Sequence, residues 1–191
     1  MRVIAGSFKG RKLDVPKGIG IRPTSDRVKE AIFSMVQPEL SDAVCLDLFA
    51  GSGALGIEAL SRGAARVYFC DVATASLAVL RKNLDTCRAD GSQAVVLAKD
   101  WRNAAVYLKE KCNLVFIDAP YNMCEHYSQI LEKLSRGSAL EKDAHIVIER
   151  DASTGGYLLP EGFERIREKR YGNVGVDLLI YVGIGEENDW E

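Results

Sequence analysis

Four aspartates, Asp47, Asp71, Asp100 and Asp118, each stand at or just past the end of a short apolar run, and three glycines, Gly51, Gly53 and Gly56, follow the first of them. Glycines in a G-x-G-x-x-G spacing between a strand and a helix allow a tight turn and close backbone approach, and the helix offers unpaired amides at its N-terminus. A ligand site is expected there. The same spacing also marks dinucleotide folds and plain strand-to-helix turns, so the neighbouring residues decide. Asp47 suits a pyrophosphate poorly and the cationic amine of a methionine moiety well, which favours S-adenosyl-L-methionine over NAD as cofactor. A side chain at Gly53 is expected to intrude on that ligand. Asp71, about 20 residues beyond the glycines, is placed to accept from both ribose hydroxyls, unless it only caps the next helix. Asp100 can meet the adenine amino group and Trp101 can shield the ring, although a Trp at a helix start is as readily a packing residue.

The fourth aspartate opens the run Asp118-Ala119-Pro120-Tyr121. An exocyclic base nitrogen is a poor nucleophile because its lone pair is delocalised into the ring. An enzyme that methylates it must hold the amino group with acceptors and aim the lone pair at the methyl. Asp118 and the Ala119 carbonyl are candidates for those acceptors, Pro120 shapes the loop and Tyr121 could stack on the base. Alone, the four residues would read as a strand-ending turn. After the glycine loop, Asp71 and Asp100, they read as a catalytic loop.

The elements that must position these groups follow from periodicity. Apolar runs at 43–49, 65–71, 94–98, 113–118 and 144–149 alternate with amphipathic stretches at 54–62, 74–87, 102–111 and 123–136, the pattern of a parallel sheet covered on both faces. Two further β-type runs, 163–171 and 174–182, meet at Gly172-Asn173, a hairpin signal, so an antiparallel pair closes the sheet. At the front, 2–6 and 11–15 predict a hairpin with an exposed Phe8 in its turn, and Thr24 or Ser25 can cap a helix whose buried stripe is Val28, Ala31, Ile32, Met35 and Val36. Arg27 and Lys29 lie off that stripe. The expected division is a basic hairpin-helix module over 1–40, a catalytic domain over 41–185 and an acidic tail over 186–191.

Apolar residues make up 47% and charged residues 27% of the 191, a globular balance, and no apolar run approaches the ~20 residues of a membrane span. With no signal-peptide pattern at the front, a cytoplasmic protein is expected. Residues 1–36 hold eight of the 25 basic side chains and only three of the 27 acidic ones. Such a cationic patch attracts a polyanion, with Lys9, Arg11, Lys12, Arg22 and Arg27 as candidate contacts, or is simply a solvated face; charge alone does not separate the two. Five cysteines and two histidines show no metal spacing, so reduced buried thiols and no metal site are expected.

With these motifs in this order the chain resembles a class I S-adenosyl-L-methionine-dependent methyltransferase. The segments RVIAGSFKGRKL, IRPTSDRVKEAIF and DLFAGSGALGIEALSRGA together resemble the RsmD family, bacterial enzymes that methylate the exocyclic N2 of one guanine in 16S ribosomal RNA. The resemblance implies a Rossmann-like α/β fold: a seven-stranded, mostly parallel sheet with an antiparallel last strand, plus an N-terminal β-hairpin and helix that help bind RNA. It puts the cofactor loop at Asp47, Phe49, Gly51 and Gly53, the ribose carboxylate at Asp71, the adenine side at Asp100 and Trp101, and catalysis at Asp118 to Tyr121. The expected partner is 16S ribosomal RNA or a small-subunit assembly particle, bound by a monomer, with neither DNA nor membrane involved. Two positions depart from the family pattern. Ala119 replaces the first proline of the usual D-P-P-Y; it keeps the carbonyl, and Pro120 still drives it toward an extended conformation. Asp71 stands where Glu is common. Related acidic-proline-aromatic loops also serve adenine N6 and glutamine amides, and a cofactor-binding RNA-binding or assembly protein without activity is the alternative from another class.

Overall fold

The central runs rich in Val, Ile, Leu, Phe and Tyr become strands with both faces buried, and the helices between them cover those faces. In chain order the elements are α1 (Asp26–Met35), β1 (Val44–Asp47), α2 (Ala54–Ser61), β2 (Arg66–Asp71), α3 (Thr74–Cys87), β3 (Ala94–Ala98), β4 (Cys112–Ile117), α4 (Tyr127–Arg136), β5 (Leu140–Asp151), β6 (Phe163–Tyr171) and β7 (Val174–Tyr181). These come from a computed structural model that describes residues 1–16, 25–154 and 156–184. Arg22 and the expected acidic tail lie outside the described residues, as does the side chain of Tyr121. The stretch expected as a helix over 102–111 is a 3₁₀ segment, Trp101–Tyr107, and a second 3₁₀ segment, Tyr121–His126, leads into α4.

One seven-stranded sheet runs in the order β3-β2-β1-β4-β5-β7-β6. The first five strands are parallel, with Asp47 of β1 opposite Phe69 of β2 and Phe116 of β4. The last strand, β7, is antiparallel to both β5 and β6 and sits between them. Strand order reverses at the β1/β4 boundary, and such a switch leaves a crevice at the carboxyl ends of the strands. Against one face pack α1, α2 and α3 through Ile32, Phe33, Leu55, Ile57 and Leu80, and against the other pack Trp101, Ala104 and the Tyr127, Ile130, Leu131 and Leu134 stripe of α4. The four described cysteines, Cys45, Cys70, Cys87 and Cys112, are buried and unpaired.

The N-terminal segment packs into the core. Its hairpin reduces to a turn closed by one bridge, Arg2 to Lys12, and Val3 and Leu13 are buried in the same core as Cys45 and Phe69. Phe8 packs against that core instead of standing free. Lys29 departs furthest from its expected outward position: its side chain is wholly buried, 3.1 Å from the equally buried Glu58 of α2, and donates to the Arg2 carbonyl at 2.6 Å. Glu58 also accepts from the amides of Ile4 (2.8 Å) and Ala5 (2.9 Å) and from Arg62 Nε (2.9 Å). A buried carboxylate satisfied this fully ties three parts of the chain together, whereas the helical period alone would have left Lys29 in solvent. Ser25 caps α1 as expected, accepting from the Val28 amide.

Candidate active site

The glycine loop occupies the carboxyl end of β1. Gly51 and Gly53 have φ of +54° and +81°, in the left-handed region that glycine enters without cost. The two are not equivalent. A Cβ on Gly51 would meet nothing nearer than the Phe49 carbonyl at 3.9 Å, so this position is open, whereas one on Gly53 would drive into Leu80 and Ile57 beneath. The expectation that a side chain at Gly53 intrudes on a ligand is therefore corrected: it would disrupt the packing of α2 and α3. Gly56 has the third role, since a Cβ there would collide with Phe69 and Val67 of β2. It lets α2 lie close on the sheet.

Two aspartates shape the loop from within. Asp47 is buried, and its Oδ2 accepts from the Gly56 amide at 2.9 Å, so it supplies the α2 N-terminus with the cap that Gly53, lacking a side chain, cannot. Burial pushes its carboxyl from the ordinary 3.8 up to about 7; the Gly56 hydrogen bond opposes this, and the charges of Asp118 and Asp71 add to it. Asp71, at the end of β2, accepts from the Gly51 amide through Oδ2 and from the Ala73 amide through Oδ1, both at 2.8 Å. It pins the loop and the start of α3 while each oxygen keeps a lone pair for a further donor. Asn83, a buried polar residue on the apolar face of α3, donates to the carbonyls of Ser52 (2.8 Å) and Asp14 (3.0 Å) and accepts from the Asp14 amide (2.8 Å). The N-terminal segment thereby holds the glycine loop. A lone asparagine among Leu77, Leu80 and Leu84 was the only sequence signal for this.

On the adenine side Trp101 takes the packing role, one of its two readings. Trp101 is a core residue, with the Arg102 guanidinium 4.7 Å above its ring. Asp100 caps the 3₁₀ segment through the Arg102 amide at 2.9 Å and pairs with the Arg102 side chain at 3.0 Å. Phe49 is half-buried against the core at the loop's base. Asp118 follows the last residue of β4, next to β1, and is half-buried; Ala119 is buried, Pro120 is exposed, and the Pro120 carbonyl accepts from the Met123 amide at 2.7 Å to start the 3₁₀ turn. Asp47, Asp71, Asp100 and Asp118 thus share one sheet edge. The buried Cys70 thiol, pushed up to about 12 by burial, feels three of them together.

Of the cationic candidates, Lys9, Lys12 and Arg27 are exposed. Arg11 is exposed too, but its Nη1 donates to the Thr86 carbonyl at 2.8 Å and so caps the last turn of α3.

Comparison with known proteins gives the family. The family described as Conserved hypothetical protein 95 matches residues 1–180. The chain is 38% identical over 193 residues to ribosomal RNA small subunit methyltransferase D of Escherichia coli strain K12, covering 98% of this chain and 93% of that protein. The chain belongs to the RsmD family. Another member, ribosomal RNA small subunit methyltransferase D of Haemophilus influenzae, is 37% identical, with 93% of this chain and 92% of that protein covered. The solved structure of Escherichia coli yhhF superposes with a TM-score of 0.82 at 35% identity, covering 95% of this chain and 97% of that one. Membership in the RsmD family makes the chain a methyltransferase.

Proposed function

We propose that the protein transfers a methyl group from S-adenosyl-L-methionine to the exocyclic N2 of a guanine in small-subunit ribosomal RNA. The observation that carries this reading is the meeting of the Gly51 opening with Asp47, Asp71 and Asp118 at the strand-order switch, in a chain whose relatives are named for methylating that RNA.

When bound, the cofactor supplies an electrophilic methyl on a cationic sulfonium. Asp47, with one oxygen held by Gly56, turns its charge to the methionine amine; Asp71, already anchoring the loop, receives the ribose hydroxyls through its remaining lone pairs. Asp118 and the Ala119 carbonyl accept from the target amino group and so rotate its lone pair out of conjugation. A carboxylate is also the right partner for the positive charge that develops on nitrogen as the bond forms. The proton the nitrogen gives up passes to an Asp118 oxygen. Tyr121 is proposed to stack on the base. The three aspartates repel one another, and a cationic ligand relieves that repulsion, which favours the donor over its neutral-sulfur product.

The test is single-turnover transfer to 16S ribosomal RNA with saturating cofactor, followed by mapping of the methylated nucleotide. Asp118→Ala should lower the rate by roughly two to three orders of magnitude while lowering cofactor affinity far less. Transfer at the wild-type rate would move the catalytic loop elsewhere, and a product methylated on adenine N6 or on protein would replace the guanine reading.

A further inference from the structure

The cofactor edge is lined with carboxylates, so an anionic strand brought to it has to be held by cations outside it. The N-terminal cluster supplies fewer than its composition suggests. Arg2 is 3.0 Å from Asp26, Arg11 caps α3 and Lys29 is buried on Glu58. A second cationic surface comes from the edge strand β6, which is exposed from Glu164 to Arg170 and carries Arg165, Arg167, Lys169 and Arg170.

A register shift between Arg165 and Arg167 resets the alternation of β6. Arg167, Lys169 and Tyr171 consequently share one face, and with Arg27 and Glu30 of α1 they line a groove of about 370 Å³. Among the described residues no carboxylate pairs with Arg27, Arg167 or Lys169. The opposite face is different: there Arg150 and Arg165 are neutralised by Glu168 and the buried Asp177. Direction matters as well. β6 and β5 are both antiparallel to β7, so β6 runs parallel to β5 and its Lys169–Tyr171 end reaches the same edge as Asp118. Three strand spacings separate β6 from β4, about 14 Å at ~4.8 Å each, a short reach along a nucleic-acid strand.

From this geometry we propose that the groove between α1 and the carboxyl-terminal half of β6 binds the RNA phosphate backbone beside the target base, with Arg167 and Lys169 as phosphate contacts and Arg27 on the facing wall. This deepens the methylation reading above and rests on it. Charges on an edge strand also prevent strand-to-strand aggregation, but that role is indifferent to their sign and needs no facing cation on a helix.

The experiment compares the wild type with the double variant Arg167→Gln/Lys169→Gln and with a control of equal charge change at the opposite edge, Lys111→Gln/Lys142→Gln. Each is titrated with transcribed 16S RNA and with the small-subunit particle over a range of salt. The groove variant should bind roughly 10- to 50-fold more weakly at 0.1 M salt and lose about two contacts' worth of salt slope. Its apparent KM for RNA should rise by a similar factor, with the rate at saturating RNA and the cofactor affinity unchanged, and the control should match wild type. Unchanged affinity in the groove variant overturns the proposal and leaves the methylation reading intact. Equal weakening of the control also overturns it, since the effect would then belong to net charge. A wild type that binds neither RNA nor particle removes both readings together. New self-association of the groove variant with unaltered RNA binding would return β6 to edge protection alone.

Discussion

Replacing Asp47 by Asn should stabilise the fold and weaken the enzyme, and the stability gain should depend on pH in a way that identifies its source. An amide still offers an oxygen to the Gly56 amide, so the cap on α2 survives, but it brings no charge into a site that is 1% exposed. The wild-type carboxyl is raised from 3.8 to about 7, first by that burial and then by Asp118 and Asp71. At about 1.4 kcal/mol per tenfold change in proton affinity this displacement corresponds to about 4 kcal/mol, a ceiling that local relaxation roughly halves to about 2 kcal/mol. The sign follows from proton counting. Below pH 4 the carboxyl is protonated in both folded and unfolded chains and adds no difference. Between pH 4 and 7 the unfolded chain releases the proton and the folded one keeps it, so wild-type stability falls as pH rises, and above 7 the loss is complete. The variant lacks this group and the repulsion its charge adds to Asp118 and Asp71, so its advantage should grow from near zero at pH 4 to a plateau above 7. For a chain of this size about 2 kcal/mol raises Tm by roughly 4–8 °C. Thermal and urea unfolding of both proteins from pH 4 to 8 measures the difference, and calorimetric titration with S-adenosyl-L-methionine at pH 8 should show at least a tenfold loss of affinity. A stability difference that does not change with pH, or a variant less stable than wild type at pH 8, would refute the reasoning.

The two left-handed glycines should separate by readout: Gly51→Ala, facing open space, should lose only the roughly 1–2 kcal/mol of left-handed backbone strain yet weaken cofactor binding, whereas Gly53→Ala, which adds a collision with Leu80 to the same strain, should lower stability by about 3 kcal/mol or more. The reverse pattern in paired melting and titration experiments would exchange their roles. Glu58→Ala would strand the buried Lys29 and the Ile4 and Ala5 amides, so a loss of about 3–5 kcal/mol is expected, visible as a large drop in the urea midpoint; a shift under 1 kcal/mol would mean that the N-terminal segment docks without it. Asn83→Ala should loosen the glycine loop from the N-terminal segment, giving weaker cofactor binding and faster exchange of the Asp14 amide, which Asn83 Oδ1 holds, and unchanged exchange there would exclude the tie.

Periodicity and punctuation carried most of the architecture. Short apolar runs bounded by Gly, Asp and Pro could bury both faces only as a covered parallel sheet, and Gly172-Asn173 allowed little but a hairpin between β6 and β7. The candidate loops were legible for the same local reason, since glycine spacing and strand-ending aspartates are properties of neighbouring residues. What lay between distant residues was not legible. Nothing near Lys29 in the chain points to Glu58, 29 residues on, and a lysine beside an apolar stripe is ordinarily solvated; only the packing of α1 against α2 brings the two charges together and ties the N-terminal segment to the core. Likewise Asp71 and Asp100 were legible as carboxylates at strand ends, but whether a carboxylate faces a ligand or caps its own turn depends on which amides the fold puts within about 3 Å of it. The structure gives Asp71 the Gly51 amide and Asp100 the Arg102 amide and guanidinium. The direction of the Gly53 Cβ and the raised affinity of Asp47 for its proton have the same origin: both are set by atoms that tertiary packing alone brings close.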